Sequence, residues 1–385
     1  MTSGAQTGIP ATFYRGGTSK AVIFERADLP QCDPFVDSAP WDNIFLAVMG
    51  SPDAGGKQLD GMGGGQSSLS KIAVLAPSAR EDADVDYIFG QVGIKTATVS
   101  YRGNCGNISS AVGPYAVEKG WVVPQRDEAE VRIYNANTGK IIVSRFACRD
   151  GLPVVVGDVA LAGLPAPGAP IRLSFMDPGG ATTGKLLPTG NVVDTLTISD
   201  GRRFSATLID VANPLALLTI NDVISDQLVP DPAVMSHYLP LLDDIRVAAA
   251  LVMGLVESEE VARTRLTNLP LVGLIGQPVD FAASDGTSLK AADHDISVMV
   301  LSAGLAHRAV PLTGAMALAV ATRVEGTLAH SCARPSHGNC VTIAHASGVM
   351  EVAIDGVRAE PEWRAASVQV VRTARRLFSG TVYHA

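Results

Sequence analysis

Two stretches of the sequence carry side chains that could move a proton. Cys105 stands in the segment Gly103–Asn107, immediately before a predicted helix. The free N–H groups and the dipole at a helix start stabilise negative charge, so a thiol there could act as a base or a nucleophile. Lys71 ends the glycine- and serine-rich segment 61–71 and leads into an apolar strand. A partly buried lysine could act as a proton-transferring base. A small buried cysteine and a solvated lysine would fit the same patterns.

Two further segments carry polar groups suited to a ligand. In Arg15–Lys20 (RGGTSK), glycines let the backbone approach a ligand, and hydroxyl and cationic groups suit a carboxylate. His345–Gly348 (HASG) is a second polar turn. A plain turn between strands is the alternative for both segments.

The glycine-rich segment does not match the common nucleotide-binding motifs. The pair Gly56-Lys57 is followed by Gln58, where a phosphate-binding loop requires Ser or Thr. Gln66 stands where the third glycine of a dinucleotide fingerprint belongs. The sequence therefore predicts no nucleotide cofactor here.

Composition excludes several classes of protein. The 385 residues include 30 Lys and Arg against 38 Asp and Glu, a net charge of −8, which disfavours a nucleic-acid-binding or anionic-membrane surface protein. Hydrophobic residues make up 47%, enough for a large core. No apolar stretch is long enough to span a bilayer, and the N-terminus lacks the plan of a signal peptide. We therefore expect a globular protein that binds neither nucleic acid nor membrane.

Cysteine usage favours a reducing compartment. The five cysteines form no CxxC pair, and their number is odd, so we expect a cytoplasmic protein. The segment 329–340 holds four loosely spaced side chains of metal-ligand type. These are His330, Cys332, His337 and Cys340. Their spacing is not typical of a zinc site, and no metal is predicted.

The elements that must position these residues are mainly strands. Two helices, at Asn107–Lys119 and Gly314–Arg323, are apolar on nearly every face and must therefore be buried. We expect a mainly β, α+β protein of two halves, each with strands around one central helix, divided as 1–184 and 185–385. The sequence also predicts strands at Thr96–Val99 and Ser367–Leu377 and one long helix at Leu241–Arg265.

Several motifs, in this order along the chain, resemble the PrpF family of 2-methylaconitate cis-trans isomerases. That family is related to 4-oxalomesaconate tautomerases and methylitaconate isomerases. The motifs are Arg15–Lys20, Gly50–Lys71, Asp84–Val92, Gly103–Ala116 and Pro188–Asp194. The resemblance implies the diaminopimelate-epimerase-like fold, with two similar domains, each a β-sheet or barrel wrapped around a central helix, and an active site in the cleft between them.

The resemblance also implies which residues act. The family's catalytic lysine and cysteine fall on Lys71 and Cys105, and no cofactor is expected. The second central helix begins with Pro311–Gly314 and has no cysteine, so a racemase with two thiols is disfavoured. The residues expected to bind the substrate's carboxylates and the developing negative charge are Thr18, Ser19, Gln66, Ser67, Asn104, Gly106, Asn107, Thr313, Gly314, Ser347 and Gly348.

The expected reaction is the transfer of an allylic proton on an unsaturated tricarboxylate. Its removal gives a delocalised dienolate, so the position or geometry of the double bond can change before reprotonation. We expect the substrate to be 2-methylaconitate, in propionate metabolism by the methylcitrate cycle. The alternatives are 4-oxalomesaconate tautomerisation in aromatic-acid degradation, or a non-catalytic accessory role beside an aconitase-like dehydratase. The sequence leaves open which of Lys71 and Cys105 removes the proton, and whether the protein forms a homodimer.

Overall fold

Strands dominate the computed structural model, which describes residues 6–224, 231–302, 304–335, 338–359 and 361–384. The strands are β1 Thr7–Gly16, β2 Ser19–Glu25, β3 Lys71–Pro77, β4 Val85–Val92, β5 Val99–Ser100, β6 Glu128–Asn135, β7 Lys140–Arg149, β8 Leu152–Pro153, β9 Ile171–Met176, β10 Asp194–Thr197, β11 Arg203–Val211, β12 Asn213–Thr219, β13 Leu271–Gly276, β14 Phe281–Ala282, β15 Ser288–Leu289, β16 Ile296–Ser302, β17 Leu305–His307, β18 Cys340–His345, β19 Gly348–Asp355, β20 Ser367–Arg372 and β21 Ala374–His384.

The α-helices are fewer and mostly short. They are α1 Ala39–Met49, α2 Gly106–Glu118, α3 Ile220–Val223, α4 Pro232–His237, α5 Leu239–Val252, α6 Glu259–Thr264, α7 Leu312–Ala321 and α8 Leu328–Cys332. In the part of the chain that the structure describes, no helix is long and apolar enough to cross a membrane.

The chain forms two compact units whose limits differ from the division at residue 184. The first unit comprises residues up to 174 together with those from 371 onward, and the second comprises 175–370. Residues 175–184 therefore belong to the second unit. The C-terminal strand β21 belongs to the first unit because it pairs antiparallel with β1, from Thr7↔His384 to Gly16↔Ala374. This return of the chain end carries no local sequence signal.

The two units repeat one order of strand pairing. In the first unit β1 is antiparallel to β2, β2 parallel to β3, β3 antiparallel to β4, β4 parallel to β6, and β6 antiparallel to β7. In the second unit the strands β11, β12, β13, β16, β18 and β19 follow the same alternation. Helices α2 and α7 occupy matching places in the chain, between the fourth and fifth strands of these series. This confirms the predicted architecture of two similar domains.

Both central helices are enclosed, as their composition predicts. In α2 every residue from Ile108 to Val117 is buried, and the helix contacts β1, β2, β3, β4, β6, β7, β8 and β21. Every residue of α7 is buried, and it contacts β11, β12, β18 and β19. Because strands cover the sides of each helix, its first turn is where its polar backbone groups can meet a ligand.

Three of the predicted elements begin or end at other residues in the structure. The helix expected over Leu241–Arg265 is two helices, since α5 ends before Gly254, which has φ +68°, and Ser258 caps α6 by accepting the N–H of Val261 at 3.3 Å. The strand expected over Ser367–Leu377 is β20 and β21, with a break at Thr373. Of the strand expected at Thr96–Val99, only Val99 is extended in β5, because Thr98 N–H turns back to the carbonyl of Thr96.

A hydrogen-bonded loop over 50–70 leads into β3 and so positions Lys71. The Asp53 carboxylate accepts the backbone N–H groups of Gly55 at 2.8 Å, Lys57 at 2.9 Å and Gln58 at 2.6 Å. These bonds lower the pKa of Asp53, with the largest contribution from Gln58. The carboxylate therefore fixes the course of the backbone at the start of the loop.

The Gln58 side chain connects the start of the loop to its end. Gln58 is buried, and its Nε2 donates to Ser51 Oγ at 2.8 Å and to Ser70 Oγ at 2.7 Å. Its Oε1 accepts the N–H of Gly65 at 3.0 Å. Because Ser70 immediately precedes Lys71, one amide links the two ends of the loop to the first residue of β3.

The enclosure of α2 predicts a specific loss of stability. Val112 is fully buried in α2, whereas Val156 is 87% exposed in the same unit. Val112→Ala should lower the free energy of unfolding by about 2 kcal/mol, because two buried methyl groups and their packing are lost. The matched Val156→Ala should change it by less than about 0.5 kcal/mol in the same urea titration. Equal losses would contradict the enclosure of the helix.

The Asp53 contacts predict a pH-dependent loop. Because the pKa of Asp53 is lower in the folded chain than its ordinary value of 3.8, its contribution is full above that value and is lost as the pH falls through the folded pKa. Hydrogen-exchange protection of the Gly55, Lys57 and Gln58 amides should follow this course. Asp53→Asn should lower their protection at pH 7, whereas Asp60→Asn, an exposed change in the same loop, should not. Unchanged protection in Asp53→Asn would show that the carboxylate does not order the loop.

Candidate functional site

Lys71 is the first residue of β3, and its side chain is held on a buried face. Only 8% of the residue is exposed. Its Nζ donates a hydrogen bond to Gln91 Oε1 at 2.6 Å and lies 5.0 Å from the centre of the Phe89 ring. The antiparallel register pairs Lys71 directly with Gln91, so the contact follows from strand pairing. The amine is thus kept close to the sheet rather than extended into water.

Gln91 is itself held in one orientation. Its Nε2 donates to the carbonyl oxygens of Ser67 at 3.1 Å and Ser70 at 2.9 Å. Oε1 is therefore left to face Lys71. The prediction from sequence did not include Gln91, although it lies within the quoted motif Asp84–Val92. The contact with Lys71 requires knowledge of the register between β3 and β4, which the motif does not contain.

Cys105 is the residue that caps α2. It is half-buried and extended, with φ −109° and ψ 93°, and its side chain makes no capping hydrogen bond. Its carbonyl oxygen accepts the N–H of Ser109 at 3.0 Å and the Ser109 hydroxyl at 3.2 Å. The thiol is thus left at the start of the helix, where the partial positive charge of the helix favours an anion.

A cluster of buried amides supports the segment before Cys105. Asn104 is 6% exposed, and its Oδ1 accepts from Asn135 Nδ2 at 3.3 Å and from the Ser109 hydroxyl at 3.4 Å. The Asn137 amide donates to the carbonyls of Phe89 and Tyr101 at 2.8 and 2.7 Å. Asn104 therefore belongs to the hydrogen-bonded segment that positions Cys105, and these bonds hold its side chain in place.

Three side chains of one face of β4 relate Lys71 to Cys105. Tyr87, Phe89 and Gln91 alternate along β4 and so project from one face. Phe89 and Gln91 contact Lys71, while Tyr87 lies within electrostatic range of Cys105. Burial raises the pKa of the Tyr87 hydroxyl well above its ordinary value, and the charge of a Cys105 thiolate raises it further. Tyr87 therefore stays protonated at neutral pH.

The turn between β1 and β2 packs against the start of α2. Asn107 Nδ2 donates to Thr18 Oγ1 at 3.2 Å. A Cβ on Gly16 would lie 2.5 Å from the Asn107 carbonyl oxygen, and one on Gly17, which has φ +50°, would overlap the Asn107 side chain. Only glycine allows this approach, so RGGTSK is more than a tight turn. Ser19 is 3% exposed and follows Thr18 into β2.

The remaining predicted residues of the first unit differ in exposure. Gln66 is exposed and starts the short helical turn Ser67–Leu69, and Ser67 is half-buried, with its carbonyl bound by Gln91. Gly106 is the first residue of α2 and is buried. These three residues, with Thr18, Ser19, Lys71, Asn104, Cys105 and Asn107, all belong to the first unit.

Four predicted residues belong to the second unit, two in α7 and two at the turn between β18 and β19. Thr313 and Gly314 lie in its first turn, and Thr313 Oγ1 accepts from Asn213 Nδ2 at 3.0 Å. Ser347 and Gly348 form the turn between β18 and β19. The Ser347 N–H donates to the carbonyl of Arg308, three residues before the capping Pro311, and its other contact is His345 Nδ1 at 3.2 Å.

The structure describes three of the four side chains of metal-ligand type in the segment 329–340. His337 lies outside the described residues. His330 and Cys332 lie on α8, and Cys340 opens β18 at an exposed position. Within the described ranges, no group of three or more His, Cys, Asp or Glu side chains is arranged to hold a metal.

Comparison with known proteins gives close relatives over the full length. The model of the family described as PrpF protein matches residues 6–385. A protein of Cupriavidus necator named 2-methyl-aconitate isomerase is 38% identical, over 99% of this chain and 98% of its own. A 4-oxalomesaconate tautomerase of Pseudomonas putida is 35% identical, over 98% of this chain and 96% of its own.

Solved structures agree with the fold described above. The crystal structure of a methylitaconate-delta-isomerase matches with a TM-score of 0.79 and 34% identity, over 98% of this chain and 96% of that one. A hydroxyproline epimerase from Agrobacterium vitis matches with a TM-score of 0.57 over 98% and 92% of the two chains, and at 13% identity it shows the shared fold alone. The full-length family match, together with relatives above 30% identity, shows that the chain belongs to the PrpF protein family.

Proposed function

We propose that this protein is a cofactor-independent isomerase that moves an allylic proton on a small unsaturated tricarboxylate, with 2-methylaconitate as its substrate. The observation that supports the proposal is the buried amine of Lys71, held by Gln91 and Phe89 on the face of β4 that also carries Tyr87, which is within electrostatic range of Cys105. The relatives named as isomerases support the reaction class. An amine and a thiol can each accept and donate a proton, so this pair is suited to a proton shift.

The reaction begins when one of these groups removes the allylic proton. If Lys71 is the base, it acts as the neutral amine: one N–H stays bonded to Gln91 Oε1, and the lone pair takes the proton. The electron pair of the broken C–H bond passes into the adjacent double bonds and a carboxylate, which gives the dienolate. The Cys105 thiol then donates its proton to a carbon of the dienolate, and this step sets the new position or geometry of the double bond. The roles reverse for the opposite direction.

The charge of the dienolate is met by fixed donors. The first turn of α2, at Gly106 and Asn107, offers N–H groups that the helix itself does not use. Thr18, Ser19, Gln66, Ser67 and Asn104 are the further donors of the first unit that we assign to substrate. Thr313, Gly314, Ser347 and Gly348 are assigned to substrate from the second unit. Preorganised donors of this kind stabilise developing charge more strongly than water does.

A second candidate is tautomerisation of 4-oxalomesaconate. The 35% identity to a tautomerase of that name is close to the 38% found for the methylaconitate isomerase, so the shared residues support either acid. Both reactions transfer a proton to or from a carbon next to a carboxylate-bearing double bond. A non-catalytic role beside an aconitase-like dehydratase would need neither Lys71 nor Cys105.

The activity should depend on both Lys71 and Cys105. In deuterium oxide, proton NMR should show isomerisation and deuterium uptake on 2-methyl-trans-aconitate. Trans-aconitate and 4-oxalomesaconate are tested in separate assays as alternative substrates. Lys71→Ala and Cys105→Ala should each lower the rate by about 100- to 10,000-fold, since each removes a proton-transfer group. Lys57→Ala and Cys340→Ala, which change exposed residues of the same types, should keep the wild-type rate. Turnover of 4-oxalomesaconate alone would select the second candidate, and no exchange on any acid would refute the proton shift.

The activity should also depend on Gln91 as a positioning residue for Lys71. Gln91→Leu removes the acceptor that holds Lys71 Nζ and should lower kcat by roughly 100-fold with a smaller change in KM, because a small misplacement of a reacting group has that effect. Gln91→Glu places a carboxylate against Lys71 and favours the ammonium form. The rising limb of the kcat/KM profile should therefore move to higher pH.

The control for this experiment is Gln125→Glu, an exposed change of the same type. Its pH profile should match that of the wild type. A profile in Gln91→Glu that is also unchanged would show that Gln91 does not act through Lys71.

A further inference from the structure

We propose that Asn137 is a positioning residue that holds the strand supporting Lys71 and the segment leading to Cys105 in one fixed arrangement. The inference rests on the proposed function, because Lys71 and Cys105 are the groups assigned there to proton transfer. In the sequence, Asn137 is marked only as a residue of the turn between β6 and β7. In the structure, its side chain bonds two other segments of the first unit.

The turn between β6 and β7 closes without the Asn137 amide. Its hydrogen bonds come from Asn135, whose carbonyl oxygen accepts the N–H of Gly139 at 2.9 Å. The Oδ1 atom of Asn135 accepts the N–H and the hydroxyl of Thr138 at 3.0 and 2.7 Å. The side chain of Asn137 is therefore available for contacts outside the turn, and its replacement leaves these bonds in place.

The Asn137 side chain occupies a gap along one edge of β4. That edge pairs with β6 as far as Tyr87 and with β5 from Gln91 onward, so Phe89 lies between the two partner strands. Asn137 Oδ1 accepts the Phe89 N–H at 2.7 Å, and its Nδ2 donates to the Phe89 carbonyl at 2.8 Å. One side chain thus satisfies both polar backbone groups of Phe89, as a neighbouring strand would.

Phe89 is one of the two side chains that hold Lys71. Its ring centre lies 5.0 Å from Lys71 Nζ, and Gln91, the next residue on the same face of β4, accepts from Nζ at 2.6 Å. A shift of the backbone at Phe89 would therefore disturb both contacts of the amine. Asn137 fixes this backbone position from the edge of β4 that β3 does not cover.

The same amide reaches the segment that leads to Cys105. Asn137 Nδ2 also donates to the carbonyl of Tyr101, at 2.7 Å, and residues 102–104 connect Tyr101 to Cys105. Asn135 adds a bond from the same turn, because its Nδ2 donates to Asn104 Oδ1 at 3.3 Å. The turn between β6 and β7 therefore bonds β4 at Phe89 and the segment before Cys105 at two residues.

The proposed reaction needs this kind of link. The amine and the thiol lie on different segments, and a misplacement of about 1 Å in a reacting group can lower a rate by roughly 100-fold. A primary amide has one acceptor oxygen and two N–H donors, and the bonds of Asn137 to Phe89 and Tyr101 use all three. Aspartate has nearly the same shape but, when ionised, no donor, so it separates the two links.

Hydrogen exchange tests the link in the full-length protein without any substrate. Asn137→Ala should lower the protection of the Phe89 amide by about 10-fold, the effect of losing one hydrogen bond. Asn137→Asp keeps an acceptor for that amide and should preserve its protection. Both variants should lower the protection of the Ser109 amide, which bonds the Cys105 carbonyl at 3.0 Å. The control Asn43→Ala, an exposed change in α1, should leave both amides as they are in the wild type.

Kinetics distinguish positioning from a structural role. On the acid that the wild type isomerises, Asn137→Ala and Asn137→Asp should each lower kcat by about 10- to 100-fold, with a smaller change in KM. Added to Lys71→Ala, the change Asn137→Ala should cost a smaller factor than it does in the wild type, because no amine is left to position. Thermal unfolding checks that each variant is folded, and Asn137→Asp carries the test if Asn137→Ala does not fold.

Three results would overturn the proposal: unchanged kcat in both Asn137 variants, an equal loss from Asn137→Ala with and without Lys71, or unchanged protection of both the Phe89 and Ser109 amides. Exchange that changes as expected would support the link even if the wild type isomerised no acid. A failed isomerase assay would then count against the proposed function and not against the connection through Asn137.

Discussion

The enclosure of α2 is the constraint on which the rest of the first unit depends. A helix that is buried on every side cannot expose polar side chains along its length, and its backbone is satisfied internally except at the ends. Strands cover its sides, as the contacts with β1, β2, β3, β4, β6, β7, β8 and β21 show. The N-terminal turn is therefore left as the place where this helix can meet a charged ligand. Cys105, Gly106 and Asn107 lie in that turn.

Strand register then determines which side chains meet the helix start. Lys71 opposes Gln91, and Gln91, Phe89 and Tyr87 share one face of β4. A shift of one residue between β3 and β4 would move all three to the other face and separate Lys71 from its acceptor. Hydrogen bonds from the loop over 50–70 hold the register in place. Gln58 donates to the hydroxyl of Ser70, and Gln91 donates to the carbonyls of Ser67 and Ser70. The buried polar network therefore has a geometric role in addition to any contribution to stability.

Much of this arrangement could be predicted from the sequence, for identifiable reasons. The two central helices were predictable because they are apolar on nearly all faces, and the hairpin of β6 and β7 because Asn137 and Gly139 mark its turn. The break between α5 and α6 was missed, although Gly254 and Ser258 are ordinary stop and start signals. The apolar pattern on either side of them suggested one continuous helix.

Other features could not be predicted because they depend on contacts distant in the sequence. The pairing of β21 with β1 joins residues more than 350 positions apart, and nothing local marks it. Gln91 was missed for the same reason. It is ordinary in its own segment and becomes a candidate only through its neighbour Lys71.

The contact between Lys71 and Gln91 limits how the amine can act under the proposed function. An amine that takes a proton from carbon must be neutral, and a neutral amine can still donate one N–H to an acceptor. The oxygen of Gln91 accepts that N–H without adding a charge beside the amine, whereas a carboxylate in the same place would favour the ammonium form. An amide at position 91 therefore suits a lysine that is proposed to exchange a proton.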